Sequence, residues 1–124
     1  MSVQPTPTDE PGGGAGAFLG QVISGAALLV LLTLHMIAQH FVLPEGLRDY
    51  ASVIEWIGNP VIVVLELSFL AFVTWHALLG LRAILFDYGF SPSTERWISR
   101  AFVVIGVVTV VYGTWLMYMI VSAA

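Results

Sequence analysis

The chain of 124 residues has no cysteine and no lysine, and only 10% of its residues are charged. Without cysteine it can form no disulfide and can supply no thiolate to an iron–sulfur cluster or a haem. Its four cationic residues are scattered arginines, so the basic patch typical of nucleic-acid-binding proteins is missing. A soluble domain carries about 25% charged residues. This chain has too few to cover a globular surface.

Long apolar runs fill most of the sequence, which is 58% hydrophobic with a mean hydropathy of +0.91. Three segments, near residues 17–43, 60–86 and 100–122, fit the length of roughly 20 residues that a bilayer-spanning helix needs. The predicted fold class is therefore an all-α membrane protein. Residues 17–124 form its three-helix transmembrane domain, and residues 1–16, rich in proline, glycine and threonine, form a flexible cytoplasmic tail.

The connections between the helices indicate topology and helix starts. The second connection carries three arginines and the first only Arg48, so the positive-inside rule places the second connection and the N-terminus in the cytoplasm and the C-terminus outside. The first connection reads as a short amphipathic piece that ends at Asn59, with Pro60 in the first turn of the next helix. In the second connection, Ser93 or Thr94 is expected to cap a lead into the third helix.

Three histidines, the only ones in the chain, lie inside or at the edge of apolar runs. An ionisable side chain in a membrane is costly and is a functional-site hypothesis by default, and imidazole is a common axial ligand of haem iron. At 1.5 Å per residue, His35 lies about 27 Å and His76 about 15 Å from the inner side. If both are ligands they serve two centres, each needing a second histidine from another chain. The alternative is that each histidine only hydrogen-bonds across helices.

The residues near the histidines, and the direction in which each histidine points from its helix, indicate what each histidine can contact. Gly80 lies one turn beyond His76 and leaves room for a flat macrocycle beside that ligand. His40 points about 140° away from His35, so it either contacts a haem propionate or is solvated at the interface. Three further small residues thin one side of the first helix, and we interpret them as ordinary helix packing: Gly20, Ser24 and Ala27.

Two motifs resemble a known family. The segment His76–Arg82, read HALLGLR and followed by Asp87-Tyr88, resembles the second-helix signature of membrane anchor subunits in succinate:quinone oxidoreductases and fumarate reductases. The segment His35–Phe41, read HMIAQHF, is similar to the first-helix pattern of the di-haem branch of that family. The resemblance covers roughly residues 17–122.

The resemblance implies a small cytochrome b subunit paired with a second three-helix membrane subunit. His35 would bind an outer haem b and His76 an inner haem b, each haem shared with the second subunit. FAD and iron–sulfur clusters would belong to a flavoprotein subunit and an iron–sulfur subunit on the cytoplasmic face. The chain would then not bind succinate itself. It would pass electrons to a membrane quinone, menaquinone in many di-haem relatives, in a prokaryotic-type cytoplasmic membrane and within the tricarboxylic acid cycle.

The same resemblance suggests roles for polar residues near the inner side. Tyr88 and Asp87 would bind quinone through a phenol hydrogen bond and a nearby carboxylate; the alternative is an aromatic-belt tyrosine and a helix-end aspartate. Arg82 would neutralise an inner haem propionate, or else its charge snorkels to the interface.

Glu66 is an acid within the second apolar run, and its role is open. It either carries protons to an outer site or is neutral and hydrogen-bonded across helices, the interpretation we favour. Three rival functions also remain: a haem-free structural anchor of the same complex, a quinol:fumarate reductase anchor running in the opposite direction, and an unrelated transport component that relays protons through Glu66 and the histidines.

Overall fold

Helices make up nearly all of the structure, a computed structural model that describes residues 14–42 and 49–123. The elements in chain order are α1 (Ala15–Ile37), a π-helical continuation of it (Ala38–Val42), α2 (Tyr50–Ile57), α3 (Pro60–Phe86) and α4 (Pro92–Ser122). No strand occurs within these residues. The predicted all-α fold is confirmed.

Three helical spans are long and apolar enough to cross a membrane: Ala15–Val42, Pro60–Phe86 and Pro92–Ser122. The third begins eight residues earlier than the predicted start at residue 100, because the cap lies earlier in the connection. The hydroxyl of Ser91 accepts a hydrogen bond from the Thr94 amide at 3.3 Å, and Pro92 occupies the first turn. The expectation that Ser93 or Thr94 is the cap was therefore wrong. The predicted tail, residues 1–16, lies almost wholly outside the described residues.

The amphipathic piece of the first connection is the short helix α2. It starts with a capping box, in which the Asp49 carboxylate accepts from the Ser52 amide at 2.8 Å and the Asp49 amide donates to the Ser52 hydroxyl at 3.3 Å. These hydrogen bonds from Ser52, the backbone one first, lower the pKa of the Asp49 carboxyl. Asn59 then caps α3 through the Val61 amide, with Pro60 at the first helical position as predicted.

Helix α3 is the central element. It packs against α1 on one side and α4 on the other, whereas α1 and α4 do not pack against each other within the described residues. Glycines allow the close approach, since a Cβ on Gly20 would lie 3.2 Å from a Leu79 methyl carbon and one on Gly106 would lie 2.9 Å from a Leu78 methyl carbon. The three spans thus form one layer, and most of their large apolar side chains are exposed on its faces.

The layer has two ends that carry different residues. At one end, here called the Tyr88 end, α1 begins at Ala15, α3 finishes at Phe86 and α4 begins at Pro92. At the other, here called the Pro60 end, the π-helical segment finishes at Val42 and α3 begins. Because neighbouring spans are antiparallel, a residue early in α1 lies beside a residue late in α3.

Candidate functional site

His76 projects from α3 toward α1 and is held there by Ser24. The ring atom Nδ1 of His76 lies 3.0 Å from the Ser24 hydroxyl oxygen. That hydroxyl donates its proton to the backbone carbonyl of Gln21 at 3.1 Å. Since the one hydroxyl proton is used, the Ser24 oxygen accepts from His76 Nδ1–H. Ser24 is fully buried, so its hydroxyl has no competing water and fixes this arrangement.

In this assignment the second ring nitrogen of His76, Nε2, is unprotonated, and its lone pair faces the side chain of Gln21. The side-chain amide nitrogen of Gln21, a donor, lies 3.4 Å from Nε2, which agrees with Nε2 as an acceptor. A neutral imidazole with Nδ1–H bonded to a neighbour and Nε2 free is the form in which histidine ligates metals. The contacts of His76 therefore give Nε2 the protonation state of a ligand, and a metal bound there would replace the Gln21 amide as its partner.

One glycine makes room for this ring, and a second makes room for its neighbour Gln21. A Cβ on Gly25 would lie 3.2 Å from the His76 carbon Cε1, so the ring occupies space that any other residue would narrow. A Cβ on Gly80 would lie 3.1 Å from the Gln21 amide nitrogen. The predicted space beside Gly80 thus faces Gln21, whose buried side-chain oxygen has no hydrogen-bond partner within the described residues.

His35 has a charged neighbour instead of a hydroxyl. Its Nδ1 lies 2.9 and 3.0 Å from the two carboxylate oxygens of Glu66 on α3. The Gln39 amide donates to one of those oxygens at 3.0 Å. Phe69 stacks on the His35 ring with 5.0 Å between centroids and 23° between planes. The ring is therefore fixed at its edge by Glu66 and on one face by Phe69.

The proton on His35 is assigned from these contacts. If Glu66 is ionised, its carboxylate only accepts, and its two short contacts then place the proton on Nδ1 and leave Nε2 unprotonated. The Gln39 amide nitrogen also lies 3.4 Å from His35 Nδ1. That contact is long, and the shorter bonds to Glu66 decide the tautomer. The side chains of His35 and Glu66 are 20% and 18% exposed, so the pair is mostly shielded from solvent.

The two histidine sites lie at different depths. Glu66, beside His35, is ten residues before His76 on α3, which corresponds to about 15 Å along the helix. His35 is nearer the Pro60 end and His76 nearer the Tyr88 end. This spacing agrees with the separation of about 12 Å expected from the sequence. Each histidine thus belongs to its own site.

His35 and His76 are the side chains that would hold haem, one at each site. Both rings have Nδ1 bonded to a neighbour. Within the described residues Nε2 of His35 has no hydrogen-bond partner, whereas Nε2 of His76 faces the Gln21 amide, and Gly25 borders the His76 ring. Residues 14–42 and 49–123 contain no group of three or more titratable side chains suited to a bare metal ion. Haem needs only axial ligands from the protein, because the porphyrin supplies the other four.

The other predicted residues lie apart from these two sites. His40 is exposed in the π-helical segment, and Gln39 rather than His40 reaches the His35–Glu66 pair. Arg82 lies on the α4 side of α3, where its Nε donates to Ser99 at 3.0 Å and its guanidinium covers Phe86 at 4.2 Å. The structure does not bring it to His76.

The predicted quinone-site residues lie at the Tyr88 end. Asp87 is the C-terminal cap of α3, and the Tyr88 side chain is 76% exposed beside Phe90. Arg82 and Ser99 border a separate, mainly apolar cavity of about 410 Å³ between α3 and α4. Neither histidine lines that cavity, so it is distinct from both histidine sites.

Sequence reasoning missed the residues that hold the histidines. Ser24 was interpreted as helix packing, whereas its hydroxyl bonds the His76 ring. Gln21, Gly25 and Gln39 were not identified at all. The signal available was the antiparallel register of α1 and α3, which follows from a two-span hairpin, but the rotation of each helix about its axis is not encoded in hydropathy.

Comparison with known proteins gives one family. Residues 11–114 match the family model described as "Succinate dehydrogenase/Fumarate reductase transmembrane subunit". Two curated relatives are each called a succinate dehydrogenase hydrophobic membrane anchor subunit. The protein from Thermoplasma acidophilum is 33% identical over 76% of this chain and 76% of its own length. The one from Archaeoglobus fulgidus is 32% identical over 84% and 88%. No solved structure matches the chain.

Proposed function

Because the chain belongs to the family of succinate dehydrogenase and fumarate reductase transmembrane subunits, we propose that it is a haem b-binding membrane anchor. Its task is to carry electrons between iron–sulfur clusters of soluble partner subunits and a membrane quinone. Membership implies the soluble catalytic partner subunits. Both relatives are named for succinate dehydrogenase, which favours succinate oxidation as the direction of turnover.

The observation that supports haem binding is the pair of half-buried histidines in two membrane spans, each fixed through Nδ1 so that Nε2 is the nitrogen left to bind iron. His35 and His76 would each hold one haem b, and haem supplies reversible one-electron transfer. Ser24 and Glu66 would orient the rings through Nδ1. A haem held by one of these histidines would take its other protein ligand from another chain, and the exposed faces of the single helical layer suit a second three-helix subunit that would supply it.

The Tyr88 end suits the quinone and the soluble subunits. An exposed phenol at Tyr88 can donate to a quinone carbonyl, and the Asp87 carboxylate beside it can accept a proton. His76 would be the ligand nearer this end. The positive-inside rule supports a cytoplasmic location for the Tyr88 end, since Arg96 and Arg100 lie early in α4. Menaquinone is the quinone we propose, on the resemblance to di-haem relatives.

The test is spectroscopy of the purified complex. We expect flavin, iron–sulfur clusters and two haems b, with a reduced α-band that loses one distinct component in His35→Ala and the other in His76→Ala. Thr114→Val is the control and should retain both haems, because that hydroxyl lies on α4, away from both histidines, and donates to its own helix at Val110.

Two results would contradict the proposal. Loss of the same component in both histidine variants would exclude two separate haem sites. A complex with flavin and iron–sulfur clusters but no haem would favour the alternative of a haem-free structural anchor, in which the histidines serve only to join α1 and α3.

A further inference from the structure

Glu66 is a carboxylate six residues inside an apolar span, and it contacts the side chains of His35 and Gln39. Both of its oxygens lie within 3.0 Å of the same ring nitrogen. We infer that Glu66 is a positioning residue for His35 and that its carboxylate, in the ionised form, lowers the reduction potential of the haem that would be bound there. This inference rests on the proposed function.

The geometry favours an anchoring role. The Gln39 amide donates to the Glu66 oxygen that lies 2.9 Å from His35 Nδ1, so one carboxylate accepts from two side chains at once. Phe69 covers a face of the His35 ring. A carboxylate held by a neighbouring amide cannot swing away freely. It therefore keeps the ring, and with it Nε2, in one orientation.

The contrast with His76 gives the sign of the effect. Ser24 offers a neutral hydroxyl to His76 Nδ1, whereas Glu66 offers a carboxylate to His35 Nδ1. A carboxylate draws the ring proton and increases the electron density that the imidazole gives to iron. Oxidised iron carries one more positive charge than reduced iron, so this donation stabilises the oxidised haem. The Glu66 carboxylate consequently lowers the reduction potential at the His35 site, an effect that the neutral Ser24 hydroxyl does not exert at His76.

Charge-assisted hydrogen bonds are about twice as strong as neutral ones. If this difference in hydrogen-bond strength acts mainly on the oxidised haem, replacing the Glu66 carboxylate by an amide changes the equilibrium between oxidised and reduced haem by about tenfold. For a one-electron couple this corresponds to about 59 mV. The change should be confined to the haem at His35, because Glu66 and His76 lie about 15 Å apart along α3.

The experiment is a potentiometric optical titration of the assembled complex, with the two haems assigned by His35→Ala and His76→Ala. In Glu66→Gln, the reduction potential of the His35 haem should rise by about 59 mV, and that of the His76 haem should stay unchanged. Glu66→Asp keeps the charge but shortens the side chain by one methylene. It should raise the same potential, because the contact with Nδ1 is withdrawn.

Thr114→Val is the matched control, since that hydroxyl lies on α4 and donates to its own helix at Val110. It should leave both potentials unchanged. If Glu66→Gln fails to retain the haem, Gln39→Leu provides the second variant, because it removes only the amide that steadies Glu66. A smaller rise at the His35 haem is then expected.

Three results would overturn the inference. The first is an unchanged potential of the His35 haem in Glu66→Gln, and the second is an unchanged potential in Glu66→Asp. The third applies if Glu66→Gln loses the haem, and it is an unchanged potential in Gln39→Leu. All three leave the proposed function standing, because both haems are still present. An unmodified complex without haem would overturn the proposed function itself.

Discussion

The two histidine sites share a ligand type and differ in what holds it. His76 is bonded by a buried hydroxyl and bordered by Gly25, whereas His35 is bonded by a carboxyl group and stacked on an aromatic ring. The first arrangement achieves orientation by close packing and a neutral hydrogen bond. The second adds charge in a shielded environment. One helix pair can thus give identical side chains two different electronic settings.

The comparison also shows where each site is vulnerable. The His76 site is sensitive to side-chain volume, because a larger residue in place of Gly25 would press against the ring. The His35 site depends on a network of polar contacts among Glu66, Gln39 and the ring. Changes in volume should therefore harm the first site, and changes in polarity should alter the second.

The largest expected effect is that of Gly25→Leu. A Cβ at this position already approaches His76 Cε1 to 3.2 Å, and a leucine extends further into the ring. We expect loss of the His76 haem and retention of the His35 haem, measured by the reduced α-band and the haem-to-flavin ratio.

Gly16→Leu is the matched control for that variant, because it makes the same change in the first turn of α1, where a Cβ would meet nothing within 4 Å. It should keep both haems. Retention of the His76 haem in Gly25→Leu would mean that packing does not limit this site, and the contrast between the two histidines would then rest on charge alone.

A smaller effect is expected from Ser24→Ala, which leaves the His76 Nδ1–H without its buried acceptor. Such a loss costs about 1–3 kcal/mol. The His76 haem should be released at a lower temperature than in the unmodified complex, as followed by thermal loss of its α-band.

Thr33→Ala removes a hydroxyl of the same helix that donates to its own backbone at Leu29, and it is the matched control. It should have little effect on either haem. Equal thermal release in the two variants would indicate that the Ser24 hydroxyl is only a packing group, as the sequence had suggested.

The smallest effect is expected from Ser99→Ala, which tests whether Arg82 belongs to the His76 site. Ser99 accepts from Arg82 on the α4 side of α3. Removing it should destabilise the α3–α4 contact by about 1 kcal/mol or less, seen as a slightly lower melting temperature. Both haem spectra should stay unchanged. A shift of the His76 haem band would instead support Arg82 as a propionate partner.

The sequence was sufficient for the spans and for the depth of the histidines, because both follow from hydropathy and the rise per residue. It predicted the Pro60 start of α3 from the preference of proline for the first turn. It could not predict that Ser24 faces His76 or that Glu66 faces His35. Those pairings depend on how α1 and α3 are rotated about their axes, and this is set by side-chain packing such as Gly25 against the His76 ring.

The start of α4 was missed for a local reason. Hydropathy places the beginning of a span where the apolar run begins, whereas the helix itself begins at its cap. Ser91 and Pro92 supply that cap, and the polar first turns that follow are helical although they are not apolar. Three hydroxyl residues near residue 92 offered competing caps, and only the backbone geometry distinguishes them.

The central position of α3 has a consequence for the order in which the chain is made. Every residue named at the two histidine sites lies on α1, on its π-helical continuation or on α3. These residues are Gln21, Ser24, Gly25, His35, Gln39, Glu66, Phe69, His76 and Gly80. Synthesis runs from the N-terminus. Once the chain has been synthesised and inserted as far as Phe86, all the residues that it contributes to the two histidine sites are in the membrane. Helix α4 arrives later and packs on the opposite side of α3, so errors in its insertion leave the two sites in place.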